Sequence, residues 1–263
     1  MIVILGLPTK TEREYSIFID KMITTMPDSE ILEKYQQPVP ASFKVIGIGS
    51  GMTDIIENVK SFGYECVGCI LAETPSDSIP MNDDKMVIIV ALDNEVVANA
   101  IAKTYHDAGV LTIGLVNHAD ISCYDSIVAD IGNVDFTMII QSLLLPLISL
   151  GYIHFTFIDM YLTLHNSRTF KIFVSEGNGV EEAVVNMQNK MMNIDIRNTG
   201  AITGVLYFNP ERSPHVTMAD MRHLSNIFSN LPESINVIWS VNYDDSLPED
   251  LIKFTIIMSG EKL

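Results

Sequence analysis

The stretch FKVIGIGSGMTDIIENVKSFGYECVGCILA, Phe43 to Ala72, decides the fold. Phe43–Ile48 is an apolar run long enough for a buried strand and too short for a helix. Gly47, Gly49 and Gly51 punctuate its end, with Ser50 between the last two. Thr53 or Asp54 is placed to cap a following helix, whose apolar side is Ile55, Ile56 and Val59. Gly63 stops that helix, and Cys66–Ala72 returns as a second buried strand. A strand that feeds a glycine turn and then a helix N-terminus is the usual geometry for holding phosphate. Free backbone N–H groups and the positive end of the helix dipole both point at the anion. A tight βα turn with nothing bound uses the same residues, so the glycines alone leave both readings open.

Working outward, the same alternation continues. Glu73–Asp84 is polar and turn-rich, and Lys85–Leu92 (KMVIIVAL) is a third buried strand. Asp93–Ala108 is a helix capped by Asn94 or Asp93 and stopped by Gly109. Val110–Val116 is a fourth strand, and Asp125–Ile131 a further one. Repeated strand–helix–strand steps imply a parallel sheet with helices on both faces, because crossovers are right-handed. Val134–Gly151 reads as a long apolar helix, kinked or broken near Pro146, and Phe157–Leu164 continues as helix. The second half changes character. Strands at 169–174, 201–209, 235–242 and 253–259 alternate with helices at 180–193 and 218–231, which reads as a separate α+β layer. Upstream, Met1–Leu7 reads as an edge strand, Thr11–Met26 as a helix and Gln36–Ser42 as a linker. The expected divisions are an N-terminal extension (1–42), a reduced nucleotide-type domain (43–133), a central helix and inter-domain loop (134–164) and a C-terminal domain (165–263).

Composition narrows the partners. The 263-residue chain carries a net charge of −17, which disfavours a nucleic-acid surface and direct adhesion to an anionic membrane. Cys66, Cys69 and Cys123 are too few for a disulfide framework. The C-x-x-C of Cys66 and Cys69 lies in an apolar strand without a second pair or nearby histidines, so no metal site is expected. The longest apolar run, Met138–Leu150, is too short to span a bilayer, and a cytoplasmic protein is expected.

Three stretches carry a resemblance. Lys44–Val59 (KVIGIGSGMTDIIENV) is similar, without gaps, to the first glycine loop of the tubulin superfamily, most closely of the FtsZ type. Asp84–Val116 resembles the strand–loop–helix–strand that carries the tubulin signature, and Gly151–Phe208 the run from central helix into C-terminal domain. ITGVLYFNPE, INVIWSVNYDD and KFTIIMSG follow the family's closing strands in order. The resemblance covers nearly everything from Phe43 to Gly260. It implies a Rossmann-like parallel-sheet domain, a central helix and a smaller α+β activation domain. It also implies GTP or GDP at Gly47, Gly49, Ser50, Gly51 and Asp54, and self-association head to tail. In such stacking, acids of one subunit's inter-domain loop complete the next subunit's site, and Asp159 is the acid this chain retains there.

The departures weigh against catalysis. Where the family has G-G-G-T-G-[ST]-G, this chain has Ala91-Leu92-Asp93-Asn94-Glu95. Two anions about 4 Å apart repel by several kcal/mol at an effective dielectric of ~20, enough to erase micromolar affinity. The connection that senses the γ-phosphate is reduced to Glu73–Asp84, and the first acid of the loop motif is Thr156. Asp159 reads equally as a helix-capping residue. The first expectation is therefore a non-catalytic interaction or assembly protein with a vestigial phosphate loop and no cofactor, working in cell division or in a filament. The second is a shortened, self-polymerising GTPase. A third is small-molecule chemistry in the strand-end crevice, drawing on Ser50, Thr53, Glu73, Asp93, Asn117 and His118. His154 and His165 read as satisfied or exposed singles, with nothing pairing them at metal-ligand spacing.

Overall fold

The computed structural model describes residues 42–261 except 118, 119, 130, 134 and 230. The readings made for Met1–Leu7, Thr11–Met26 and most of the linker, and for His118, lie outside the described residues. The opening motif forms as its residues dictate. β1 (Ser42–Ile48) is followed by a 3₁₀ turn (Ser50–Met52), α1 (Thr53–Ser61) and β2 (Val67–Ala72). β1, apolar but for Ser42 and Lys44, is buried along both faces and lies between β2 and β3 (Asp84–Ala91), parallel to each. Gly47 is required by packing. A Cβ there would lie 2.7 Å from Ile56 Cγ1 and 2.8 Å from Met52 Cβ, so its absence lets α1 sit down on β1.

The chain continues through α2 (Glu95–Asp107), β4 (Leu111–Val116), β5 (Ser126–Val128), α3 (Phe136–Ile148), β6 (Gly151–Ile153) and α4 (Phe157–Leu164). β7 (Arg168–Gly177), α5 (Val180–Met191), β8 (Thr199–Phe208), α6 (Met221–Phe228), β9 (Asn236–Tyr243) and β10 (Ile252–Gly260) complete it. The mixed α/β fold expected from the sequence is present, with helices on both sides of the sheet. One face packs α1, α3 and α4 around Val45, Ile88, Leu143 and Met160. The other packs α2 around Ile46, Ile89 and Tyr105 in the first half, and α5 and α6 around Leu206 and Phe254 in the second.

Hydrogen bonding joins the two halves of the chain. All ten strands form one sheet in the order β2-β1-β3-β4-β5-β7-β10-β8-β9-β6. The junction is short: β5 pairs parallel with β7 at Ser126↔Arg168, Ile127↔Thr169 and Val128↔Phe170. Beyond it β7, β10 and β8 are antiparallel, and β8 and β10 are buried along both faces. On the face of α3 and α4 one core runs across the junction, from Val45 to Ile257, while the other face has one cluster in each half.

The central helix is shorter than Val134–Gly151 and is not broken at Pro146. Asp135 caps it, its carboxylate accepting from the Met138 amide at 3.1 Å. Pro146 lies within the last turn and forgoes the hydrogen bond to the carbonyl four residues before it, yet the helix runs on to Ile148. The end is held by Asn242, whose amide donates to Ser149 Oγ at 2.8 Å and to the Pro146 carbonyl at 3.3 Å. The residues after it form the edge strand β6, which the sequence reading missed.

Candidate functional site

The glycine turn lies at the C-terminal ends of β1 and β3, where open parallel sheets place ligands. Gly49 has φ +94°, a left-handed conformation that favours glycine, and its carbonyl accepts from the Met52 amide at 3.2 Å. α1 begins at Thr53, and the N-cap position is Met52, which contributes no side-chain hydrogen bond. The expected capping by Thr53 or Asp54 is thus corrected: both stand inside the first turn. Asp54 is exposed there and complements the helix dipole with its own charge. Gly51 is not demanded by space, since a Cβ would meet nothing within 4 Å. Ser50 supplies backbone to the 3₁₀ turn.

The loop after β3 faces this turn. Leu92 and Asp93 are exposed, Asn94 is left-handed (φ 59°) and occupies the N-cap of α2, and Glu95 follows in its first turn. Asn94 caps through its backbone: its carbonyl accepts from Val97 and Ala98, while its side chain makes no capping bond. Asn117 Nδ2 donates to the Leu92 carbonyl at 3.1 Å and braces the loop. The decisive distance is at Gly49. A Cβ on that residue would stand 2.4 Å from Asp93 Oδ1, so the carboxylate rests against the Gly49 backbone. Asp54, Asp93 and Glu95 gather negative charge at two helix N-termini. Among the described residues no group of three or more His, Cys, Asp or Glu is placed to hold a metal ion.

Asp159 lies at the other end of the strands. Phe157 packs on Phe43, the second residue of β1, with ring centroids 6.5 Å apart. β1 rises ~3.3 Å per residue, so Asp159 and Gly49 are separated by roughly 20 Å along it. Asp159 is the N3 member of a capping box, and Thr156 is the N-cap. Its Oδ2 accepts from the Thr156 amide at 2.8 Å and from Thr156 Oγ1 at 2.7 Å. At that same end His165 is satisfied by an acid. Its Nδ1 is 2.6 Å from Asp125 Oδ1, its ring stacks on Tyr161, and Asp125 Oδ2 accepts from the Thr112 amide.

This geometry has counterparts among solved structures. An empty FtsZ dimer from M. jannaschii superposes with TM-score 0.66 at 18% identity, over 89% of this chain and 92% of that one. The chain has the FtsZ fold. The W319Y mutant of the same FtsZ aligns at 0.66 and 17% identity over 89% and 95% of the two chains. TubZ from Bacillus thuringiensis serovar israelensis, as GDP-form protofilaments, aligns at 0.56 and 7% identity over 91% and 90%. By sequence alone no family profile and no curated protein matches. Within the FtsZ fold, Gly47–Gly51 and Asp159 therefore stand at opposite ends of the same parallel strands.

Sequence reasoning missed one polar cluster near the Asp159 end of this FtsZ-like sheet. Lys44 and Asp84 form a buried ion pair at 2.7 Å, and Lys44 Nζ also donates to Tyr105 Oη and the Ile79 carbonyl. Ser78 Oγ lies 2.8 Å from Tyr105 Oη. The short connection 73–84 is thereby fastened to α2. A lysine in an apolar strand facing an aspartate forty residues away was the only sequence signal. A helix long and apolar enough to cross a membrane is absent among the described residues.

Proposed function

We propose that this protein acts through protein contacts on an FtsZ-type frame, in a filament or in cell division in the cytoplasm, and does not turn over GTP. One observation carries the reading: the Asp93 carboxylate stands against Gly49, where the bare backbone of a phosphate loop would meet an anion. Space and charge both oppose a nucleotide there, and Glu95 and Asp54 add to the charge. In this reading Gly47, Gly49, Ser50, Gly51 and Asp54 are a vestigial phosphate loop. Residues 43–133 correspond to a reduced GTPase-like unit, 134–164 to a connector and 165–263 to an activation-like unit. Apolar side chains at both ends of the parallel strands support self-association: Leu92 and Val96 are exposed beside Asp93, and Ile158 and Leu162 beside Asp159.

The alternative, a shortened GTP-binding GTPase that polymerises, is favoured by the ~20 Å separation of Gly49 and Asp159, since only a second copy stacked end to end could bring them together. The engagement of Asp159 by Thr156 weighs against it, because an acid that polarises water needs a free carboxylate. Calorimetric titration of the full chain with Mg-GTP and Mg-GDP separates the two. The proposal expects no heat of binding at micromolar nucleotide. Saturable micromolar binding, with GTP-dependent light scattering and phosphate release, would replace it with the alternative.

A further inference from the structure

The sheet has four stretches of open edge among the described residues. β9 pairs with β6 only at Val241 and Asn242, and its open residues, 236–240, are half-buried or buried. β6 is only 3 residues long. Beyond Phe170 the side of β7 that met β5 is open, and α5 covers it. Lys190 Nζ donates to the Val174 carbonyl and Asn186 Nδ2 to the Glu176 carbonyl. A shallow hollow of about 660 Å³, lined by Val174, Glu176, Asn189 and Lys190, marks this covered edge. Short edges and edges answered by lysine are two ways natural sheets avoid pairing with foreign strands. β2 shows neither. It pairs with β1 through six consecutive residues without a bulge, and Val-Gly-Cys-Ile-Leu-Ala contains no proline and no charge. No described strand pairs with its other side, and Gly68 and Leu71 are exposed. Its composition is that of a strand flanked on both sides.

The charge at its ends selects what can lie beside it. Glu65 precedes β2 and Glu73 follows it, and both are exposed. Antiparallel pairing of β2 with itself across a two-fold axis through Cys69 sets Glu65 opposite Glu73 of a second copy, at both rims. Like charges facing each other across strands are destabilising, and opposite charges are favourable. We propose that the free edge of β2 is a strand-addition site for an extended segment of another protein, apolar over about six residues and carrying Lys or Arg at both ends. Backbone pairing supplies the affinity and the two glutamates supply register and selectivity. This holds whether or not a nucleotide binds at Gly49.

The test uses the full chain and a dye-labelled peptide, Lys-Thr-Val-Ile-Val-Ile-Val-Val-Lys, whose lysines match the spacing of Glu65 and Glu73. Fluorescence anisotropy should show saturable binding, and hydrogen exchange should slow at residues 67–72 but not at β6. A Glu-ended version should bind about tenfold more weakly, since two cross-strand ion pairs become repulsions. A version with proline at its centre should not bind, and Leu71→Lys should weaken binding several-fold. Four results would overturn the proposal. They are unchanged exchange at β2, equal binding of the Lys- and Glu-ended peptides, exchange already slow at β2 in the peptide-free monomer, or a bismaleimide-linked Cys69–Cys69 dimer in solution. The third would mean that the chain covers its own edge, and the fourth that a second copy does.

Discussion

Replacing Asp93 tests the reading of the phosphate turn most directly. Asp93 Oδ1 is in contact with the Gly49 backbone, so an anion held by the N–H groups of this turn would lie beside the carboxylate, at a separation taken as about 4 Å. At an effective dielectric of ~20 one pair of unit charges at that distance repels by ~4 kcal/mol, and in bulk water by ~1 kcal/mol. Asp93 is exposed, which places the real value between these limits. The charge alone then weakens nucleotide binding by between about fivefold and a thousandfold. Asp93→Asn removes the charge and keeps the bulk. Asp93→Gly removes both and restores bare backbone over Gly49. Titration with Mg-GTP and Mg-GDP at constant salt should therefore rank affinity as Gly variant above Asn variant above wild type, with at least a tenfold gain for the Gly variant. Thermal melts should show both variants folded. A folded Gly variant that binds no better than wild type would refute the argument that Asp93 closes the turn.

The remaining predictions concern stability. Gly47→Ala places a methyl group against Ile56 and Met52 and should cost ~1–3 kcal/mol in denaturant unfolding, with no change in fold. Lys44→Met leaves the Asp84 carboxylate buried and unpaired, and should cost ~3–5 kcal/mol. Burial alone would depress the Lys44 ammonium, but hydrogen bonds to Asp84 and Tyr105 outweigh it and folding raises its pKa. Its contribution is therefore complete below the unfolded value of roughly 10.4 and lost as pH climbs through the folded one, so the gap between wild type and Lys44→Met should narrow in alkaline melts. Thr156→Ala removes the N-cap of α4 and should cost ~1 kcal/mol by urea titration. Asp244 is pushed up by burial and pulled down further by Lys253 and Ser246, for a net depression. Its stabilisation is present above roughly pH 4 and lost as pH falls through the depressed value. Asp244→Asn should abolish that part of the acid sensitivity in melts between pH 5 and pH 2.

The sequence made the strands legible wherever burial is two-sided. Phe43–Ile48, Met86–Ala91 and Leu111–Val116 are apolar runs, broken only by Lys44 and Thr112, because helices cover both faces. The helix at 136–148 was legible for the same reason, but its ends were not: Pro146 suggested a break that a proline near a C-terminus does not impose. The glycine turn was placed correctly, yet its glycines proved to serve different ends. Gly47 serves packing and Gly49 a left-handed backbone, while Gly51 answers no local demand. Neither distinction is visible in a spacing pattern. The acids at 93 and 95 could be read as charge near the turn, but the contact with Gly49 depends on the path of a loop forty residues away. Pairs such as Asp125 with His165 and Lys44 with Asp84 are long-range products of the sheet order, and the β5–β7 junction is one residue triplet that no periodicity announces.

That triplet has a mechanical meaning. Five strands on either side are joined by three residue pairs, so the sheet resembles two stiff plates soldered along a narrow weld. Within the sheet, a torque applied at the β2 margin crosses to β7 through Ser126–Val128, and α3 and α4, packed on both halves, share the load. Whatever load the protein bears will concentrate its fatigue there first.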